Sequence, residues 1–201
     1  MIKYREMIQI LSNKIIEDNL PHGNTVIIGE NSVGKTSLLK AVNDKMERSV
    51  FIDLPFDKKH IENIDESMDI VLLDNLETIL EYRDILNIMS YLDSKFKGNK
   101  VVIATNNLEL ASSLKDFNII CLYDGVYAFC DGNDINTYND VRLLFNRDNP
   151  VDIWLSTLLS FAICNKWTFN EESLLNRIKG GYLTKLQELV VCEIENCLIK
   201  E

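Results

Sequence analysis

The stretch that decides the fold is a glycine-containing octapeptide at residues 29–36, Gly29-Glu30-Asn31-Ser32-Val33-Gly34-Lys35-Thr36. It matches the pattern G-x-x-x-x-G-K-[ST] at every specified position. The preceding run at 25–28 is apolar and β-branched, which is typical of a buried parallel strand, and the run at 37–42 favours a helix. The sequence therefore predicts a strand–loop–helix unit in an α/β fold with a parallel sheet.

The chemistry of this loop favours a phosphate group. Backbone N–H groups around the glycines and the positive end of the next helix both favour an anion. Lys35 is placed to contact β- and γ-phosphates, and the Thr36 hydroxyl is placed to hold Mg²⁺. The stretch resembles the P-loop, or Walker A motif, of nucleotide-binding proteins, which implies contacts from nine successive residues: Gly29, Glu30, Asn31, Ser32, Val33, Gly34, Lys35, Thr36 and Ser37. A glycine-rich turn that binds nothing is the alternative, and the flanking strand and helix disfavour it.

Composition limits the class of protein. The chain has 201 residues, 46% of them hydrophobic, which suffices for one α/β domain or for one domain with a small appendage. The net charge of −10 makes direct nucleic-acid binding by this chain alone unfavourable. Five cysteines without a C-x-x-C pair favour reduced thiols in a cytoplasmic protein. The sequence shows no apolar run of membrane-spanning length, so no membrane insertion is expected.

Further apolar runs predict the rest of the sheet. Strands are expected at 49–54, 69–74, 101–106 and 117–122, with 126–130 as a short hairpin partner. Apolar residues at helical spacing predict helices at 4–18, 57–67, 77–96 and 108–114, and the helix after the loop is expected to reach about residue 48. His22 lies in the turn before the first strand, where an exposed position is expected rather than contact with a nucleotide base.

The run at 70–74 ends in a carboxylate. Its four apolar residues predict a buried strand, and Asp74 follows them at the C-terminal edge. In P-loop enzymes this is the Walker B position, where an aspartate completes the Mg²⁺ shell. Thr36 and Asp74 are therefore the predicted metal-binding pair. An aspartate that only caps the next helix is the alternative.

The residues after Asp74 bear on catalysis. Many ATPases of this type have a glutamate directly after the aspartate, but here the residue is Asn75. An amide orients a water molecule but cannot take its proton. Glu77 is a candidate substitute, although an ordinary glutamate in the first turn of a helix explains it equally well. Nucleotide binding is therefore predicted more firmly than hydrolysis.

Polar residues also end the strand at 101–106. The C-terminal edge of an open α/β sheet is where ligands bind. Asn106 or Thr105 is placed there to sense a γ-phosphate or to hold the attacking water. The alternative is that Asn106 or Asn107 caps the following helix.

The last third of the chain has little β signal. Helices are predicted at 139–146, 151–166, 171–178 and 182–199, and Trp154 and Trp167 are expected to pack this part together or onto the sheet. The predicted fold class is α/β, with a parallel-sheet P-loop NTPase core at residues 1–136 and a C-terminal helical lid or partner-docking subdomain at residues 137–201.

Taken together, the chain resembles the AAA+ ATPases within the additional-strand class of P-loop NTPases. It shares a short interval with one strand between Walker A (29–36) and Walker B (70–74), an asparagine at 106 like that of the sensor 1 strand, and a helical tail. It differs by Asn75 in place of an acidic residue and by Lys115 where an arginine finger is expected. Near the last lid helix the nearest cation is Lys185.

The ABC-type ATPases are the second resemblance. The loop and the residues after it, 29–39, are more similar to theirs, and 119–125 resembles their terminal strand and turn. The L-S-G-G-Q signature is absent, and the interval from 36 to 70 leaves no room for the helical subdomain that carries it. The spacing and the helical tail favour the AAA+ resemblance.

These resemblances imply an ATP- and Mg²⁺-binding protein. We expect a slow ATPase or a nucleotide-dependent switch that acts on a partner protein, with Asn75, Glu77 and Asn106 as the catalytic candidates. An ABC-type subunit without the signature subdomain and a non-catalytic structural subunit are the alternatives. Assembly into an oligomer would supply the missing cation. An N-K-x-D base-recognition motif is absent from the sequence, but its absence does not decide between ATP and GTP.

Overall fold

The computed structural model describes residues 4–17, 20, 22–54, 64–65, 67–78, 90, 99–114, 116–123, 125–134, 153–154, 157–158 and 161. Most of the helices predicted at 57–67 and 77–96, and nearly all of the predicted lid, lie outside these residues. In the lid region the described residues are helical, and Trp154, Leu158 and Phe161 among them are buried.

The core of the fold is a six-stranded sheet. The strands are β1 (Asn24–Gly29), β2 (Ser49–Asp53), β3 (Ile70–Asp74), β4 (Lys100–Thr105), β5 (Phe117–Tyr123) and β6 (Val126–Asp131), in the spatial order β2-β3-β4-β1-β5-β6. The first five are parallel, and β6 returns antiparallel to β5. The carboxyl ends of β1 to β5 therefore meet at one edge.

Two helices cover one face of this sheet. Helix α1 (Tyr4–Ile16) contributes Met7, Leu11 and Ile15, and helix α2 (Lys35–Asn43) contributes Leu38, Leu39 and Val42, all buried in one cluster with alternate strand residues. The other strand positions, such as Val71 and Ile103, are buried as well. Strands buried on both faces explain the continuous apolar runs in the sequence.

The predicted strands, the hairpin and the first helix are confirmed, but the second helix is shorter than expected. It ends at Asn43 rather than near residue 48. The Ser49 hydroxyl donates to the carbonyls of Asn43 and Met46, and Met46 N–H donates to Asn43. These bonds give hydrogen-bond partners to carbonyls at the end of α2 and in the turn that connects it to β2. The helix predicted at 108–114 is observed as α3 (Leu108–Ser113).

The prediction that His22 lies exposed in its turn is wrong, because its side chain is partly buried against Asp131. Its Nε2 lies 2.9 Å from Asp131 Oδ1, and its side chain is only 20% exposed. Its backbone is held by Asn118, which accepts from the N–H and donates to the carbonyl. Because His22 precedes β1 and Asp131 ends β6, this network lies at the sheet edge opposite the glycine-rich loop. His22 therefore does not reach the candidate site.

Asp131 is expected to stabilise the fold at neutral pH but not in acid. Partial burial raises the pKa of its carboxyl, but hydrogen bonds from Asn133 and His22 outweigh this and lower the pKa below 3.8. A lowered folded pKa means that the stabilisation is present above pH 3.8 and disappears as the pH falls through the folded pKa. In urea unfolding, Asp131→Ala is expected to lower the free energy of unfolding by about 1 kcal/mol at pH 7, and by less near pH 3. An equal loss at both pH values, or a similar loss in the exposed control Glu47→Gln, would contradict this.

Candidate functional site

The glycine-rich loop leaves β1 at Gly29 and enters α2 at Lys35. Gly34, at the N-cap of α2, has φ 107°, a left-handed value that favours glycine. Gly29 has φ 154°, and an added Cβ there would lie 2.5 Å from the carbonyl oxygen of Leu122 on β5. Both glycines are thus required by the backbone, and the loop brings the start of α2 to the carboxyl edge of the sheet.

Lys35 lies inside this loop. Its side chain is 7% exposed, and its Nζ donates to the carbonyls of Gly29 at 2.8 Å and Glu30 at 2.9 Å. These two carbonyls hold the positively charged Nζ in a buried position within the loop. Beside the positive end of α2, this cation makes the site favourable for an anion.

Asp74 is the buried negative charge of the site. It is 1% exposed, its Oδ1 accepts from the N–H of Asn75, and its Oδ2 has no hydrogen-bond partner among the described residues. Burial raises the pKa of this carboxyl above 3.8, and the nearby charge of Asp53 raises it further, while the Thr36 hydroxyl and Lys35 lower it. A buried carboxylate oxygen without a partner is costly, which is typical of a group that binds a ligand.

The pair Thr36 and Asp74 fits a magnesium ion. A hydroxyl and a carboxylate oxygen are ligands that Mg²⁺ takes in P-loop sites, where phosphate and water complete the shell. The unpartnered Oδ2 supplies the needed acceptor. Within the described residues no group of three or more histidine, cysteine, aspartate or glutamate side chains could hold a metal. A protein-only metal site is thus not part of the described structure, whereas a two-ligand site shared with phosphate is compatible with it.

Asn75 follows Asp74 in a left-handed conformation, with φ 56°. Its Nδ2 donates to Asp53 Oδ1 at 2.8 Å, and its carbonyl accepts from Thr78. Asp53 ends β2 directly beside Asp74, and it was not among the predicted site residues. The available signal was that the runs at 50–53 and 70–74 both end in aspartate.

The two asparagines after β4 have different roles. Asn107 caps α3, since its Oδ1 accepts from the N–H of Leu110 at 3.0 Å. The Asn106 Nδ2 instead donates to Asn31 Oδ1 of the loop at 3.2 Å. Asn106 therefore lies beside the glycine-rich loop. Thr105 is buried at the end of β4, in register with Ile28 of β1, and its hydroxyl oxygen accepts from the Asn107 N–H.

A cavity of about 360 Å³ adjoins the loop on its β5 side. It is lined by loop residues 30–33, by Tyr123 at the end of β5, by Gly125 in the turn after it, and by Tyr4 of α1. Tyr4 also packs its ring and hydroxyl against Gly34. The cavity therefore adjoins the middle of the loop, and two tyrosines are among its lining residues.

The structure brings most of the predicted site residues together at one sheet edge. Lys35, Thr36, Asp74, Asn75 and Asn106 meet around the loop, and Ser37 is exposed in the first turn of α2. The backbone of Glu77 lies in the short 3₁₀ turn Leu76–Thr78, and its side chain is outside the described structure.

No family model matches the sequence. No curated protein matches it either. The structure is similar to a metal-chelate-type ABC transporter in an inward-facing conformation, with 14% identity, a TM-score of 0.44 and coverage of 63% of this chain and 79% of that one.

Two further similar structures are PCH-2 of C. elegans and katanin. PCH-2 is 15% identical, with a TM-score of 0.35 over 96% of this chain and 66% of the other. Katanin is 14% identical, with a TM-score of 0.36 over 98% and 82%. Because all three TM-scores lie below 0.5, the fold assignment rests on the molecule itself.

The molecule's own features are a parallel sheet, a strand–loop–helix unit with a buried lysine, and an aspartate at the end of β3. The helices of the described part include none with the length and apolar character needed to cross a membrane. Among the residues that the structure describes, Cys121 and Cys130 are buried. On these features, the chain has the fold of a P-loop NTPase core.

Proposed function

We propose that the chain binds ATP with Mg²⁺ and acts as a slow AAA+-like ATPase or nucleotide-dependent switch on a partner protein. The observation that carries this proposal is the arrangement around α2. A buried lysine with its Nζ on two loop carbonyls lies beside a buried aspartate with an unpartnered oxygen. These two charges match a phosphate and its metal ion.

Different residues of the site contact the phosphates, the metal ion and the terminal phosphate. Lys35 and the N–H groups of residues 29–36 contact the phosphates, and Thr36 and Asp74 hold the metal. When bound, Mg²⁺ neutralises charge on the phosphate oxygens. Asn106, beside Asn31, is placed to respond to a terminal phosphate, because a phosphate oxygen competes with Asn31 Oδ1 for the same amide donor. Binding is thereby coupled to the end of β4 and to α3.

The base is proposed to occupy the cavity between Tyr4 and Tyr123. A volume of about 360 Å³ holds a base and part of a ribose, and tyrosine rings stack on either purine. Stacking alone does not distinguish adenine from guanine. ATP is proposed from the resemblance to ATPases.

Hydrolysis is proposed to be slow in the isolated chain. Asn75 cannot take a proton from water, Glu77 lies further along the chain, and Lys115 stands where an arginine finger is expected. A neighbouring subunit would supply the missing cation, so activity is proposed to depend on assembly. One alternative is an ABC-type subunit without the signature subdomain, because residues 119–125, which form most of β5 and the turn after it, resemble the terminal strand and turn of those proteins.

ATP turnover with Mg²⁺, measured over a concentration series of the protein, tests this function. A rate per chain that rises with protein concentration is expected for an assembling ATPase, with size-exclusion light scattering to define the oligomer. ATP binding without turnover, together with an ATP-dependent change in partner affinity, is the result for a switch. Absence of ATP binding at millimolar nucleotide would contradict the proposal, and binding that leaves partner affinity unchanged would favour an inert structural subunit.

A further inference from the structure

A second carboxylate lies beside the proposed metal site. Asp53 ends β2 and is paired in register with Asp74 at the end of β3. Residues paired in a parallel ladder point to the same side of the sheet and lie about 5 Å apart. Asp74 lies on the α2 side of the sheet, because Ile70 and Leu72, which alternate with it along β3, pack in one cluster with Leu38 of α2. Asp53 therefore lies on the same side, one strand further out.

Asn75 fixes the position of the Asp53 carboxylate. Its backbone N–H donates to Asp74 Oδ1 at 3.1 Å, and its side-chain Nδ2 donates to Asp53 Oδ1 at 2.8 Å. The left-handed backbone of Asn75 is itself held by the bonds from the Thr78 N–H and hydroxyl to its carbonyl. One residue thus links the two carboxylates and orients both.

The accessibility of the two carboxylates differs. Asp74 is buried, whereas Asp53 is exposed. Among the described residues, Asp53 accepts a side-chain hydrogen bond only at Oδ1, which leaves Oδ2 able to accept from water. Independently, the buried and unpartnered Oδ2 of Asp74 marks this same edge as a place where a ligand binds.

We infer that Asp53 is the catalytic carboxylate of this site, and that Asn75 is the residue that positions it. This inference rests on the proposed ATP hydrolysis. The amide of Asn75 is already engaged with Asp53, so Asn75 acts through that carboxylate rather than on water directly.

The reaction step assigned to Asp53 is the activation of water. Asp53 Oδ2 accepts a hydrogen bond from the attacking water and takes its proton as the bond from the water oxygen to the γ-phosphorus forms. The bond from the γ-phosphorus to the β,γ-bridging oxygen breaks, and ADP leaves with that electron pair. The proton then passes from Asp53 to solvent, and the products are ADP and inorganic phosphate.

Asp53→Asn separates catalysis from structure, because asparagine retains an Oδ1 acceptor for Asn75 but cannot take a proton. In the full chain with Mg²⁺, the single-turnover rate at saturating ATP is expected to fall about a hundredfold, which is within the range for loss of a general base. The dissociation constant of a fluorescent ATP analogue is expected to change by less than about threefold. Asn75→Gly keeps the left-handed backbone and removes the Nδ2 donor, so an intermediate loss is expected.

Asp69→Asn is the matched control, since Asp69 is exposed at the other end of β3 and pairs with Arg48. Its turnover is expected to equal that of the wild type. A second readout is retention of ADP with aluminium fluoride and Mg²⁺, which mimics the transition state and is expected to fail only in Asp53→Asn and, in part, Asn75→Gly. Turnover of Asp53→Asn within about threefold of the wild type would overturn the inference. The inference would also be overturned if the wild-type protein binds ATP but neither hydrolyses it nor traps ADP. A wild type that fails to bind ATP would instead overturn the proposed function.

Discussion

Replacing Lys35 by alanine is expected to weaken ATP binding by two to three orders of magnitude. The Nζ of Lys35 is buried and held on the carbonyls of Gly29 and Glu30, directly at the start of α2. Charge-assisted hydrogen bonds to phosphate contribute about 1.5–3 kcal/mol each. Losing the cation from a site of this kind therefore corresponds to roughly 3–4 kcal/mol of binding free energy, or a factor of about 10²–10³ in affinity.

The control for Lys35→Ala is Lys40→Ala. Both lysines lie on α2, so the change in net charge and helix propensity is the same, but Lys40 is exposed and lies over the Phe51 ring. Isothermal titration with ATP and Mg²⁺ is expected to give wild-type affinity for Lys40→Ala. If the two variants bind ATP equally well, the role assigned to the buried lysine is wrong.

Asp74→Asn is expected to stabilise the ligand-free protein and to abolish its response to magnesium nucleotide. Burial raises the pKa of this carboxyl, and the charge of Asp53 adds to the effect. A raised folded pKa means that the ionised carboxylate destabilises the fold at neutral pH, and that this penalty is relieved as the pH falls through the folded pKa towards 3.8. An uncharged side chain of the same shape removes the penalty, on the order of 1–2 kcal/mol for a buried group without a full set of hydrogen bonds.

Thermal unfolding with and without Mg²⁺ and ATP measures both effects of Asp74→Asn. In the wild type the ligands are expected to raise the melting temperature, because they bind only the folded state. In the variant the ligand-free melting temperature is expected to be higher than that of the wild type, and the increase caused by Mg²⁺ is expected to disappear. Asp69→Asn is expected to keep both the ligand-free melting temperature of the wild type and its increase with Mg²⁺ and ATP. A wild-type-sized increase with Mg²⁺ in Asp74→Asn would show that the aspartate is not a metal ligand.

The sheet could be predicted well from the sequence because its inner strands β1, β3, β4 and β5 are buried on both faces. Each of these strands is a largely apolar run, and glycine, proline or a polar residue lies near its ends. The spatial order of the strands could not be predicted in the same way, since β2 and β3 are similar runs and their neighbours are fixed only by packing. The predicted end of α2, near residue 48, was too late. The helix ends at Asn43 because the Ser49 hydroxyl bonds to the carbonyls of Asn43 and Met46, and helix propensity takes no account of such a bond.

The site was predictable where residue type and spacing determine the chemistry. Lys35 and Thr36 are identified by the loop pattern, and Asp74 by its place after an apolar strand. Asp53 has the same local pattern but was not identified, because its importance depends on its register with Asp74 and on the amide of Asn75. The division of roles between Asn106 and Asn107 likewise required the hydrogen bonds of both side chains.

A calorimetric titration of the full chain with ATP, in Mg²⁺ and again in excess chelator, tests nucleotide binding itself. We expect saturable binding of one nucleotide per chain in Mg²⁺, weaker binding after chelation, and in Lys35→Ala an affinity lower by two to three orders of magnitude. Absence of saturable binding at millimolar ATP, or an affinity that depends on neither Mg²⁺ nor Lys35, would show that this loop is not a nucleotide-binding site.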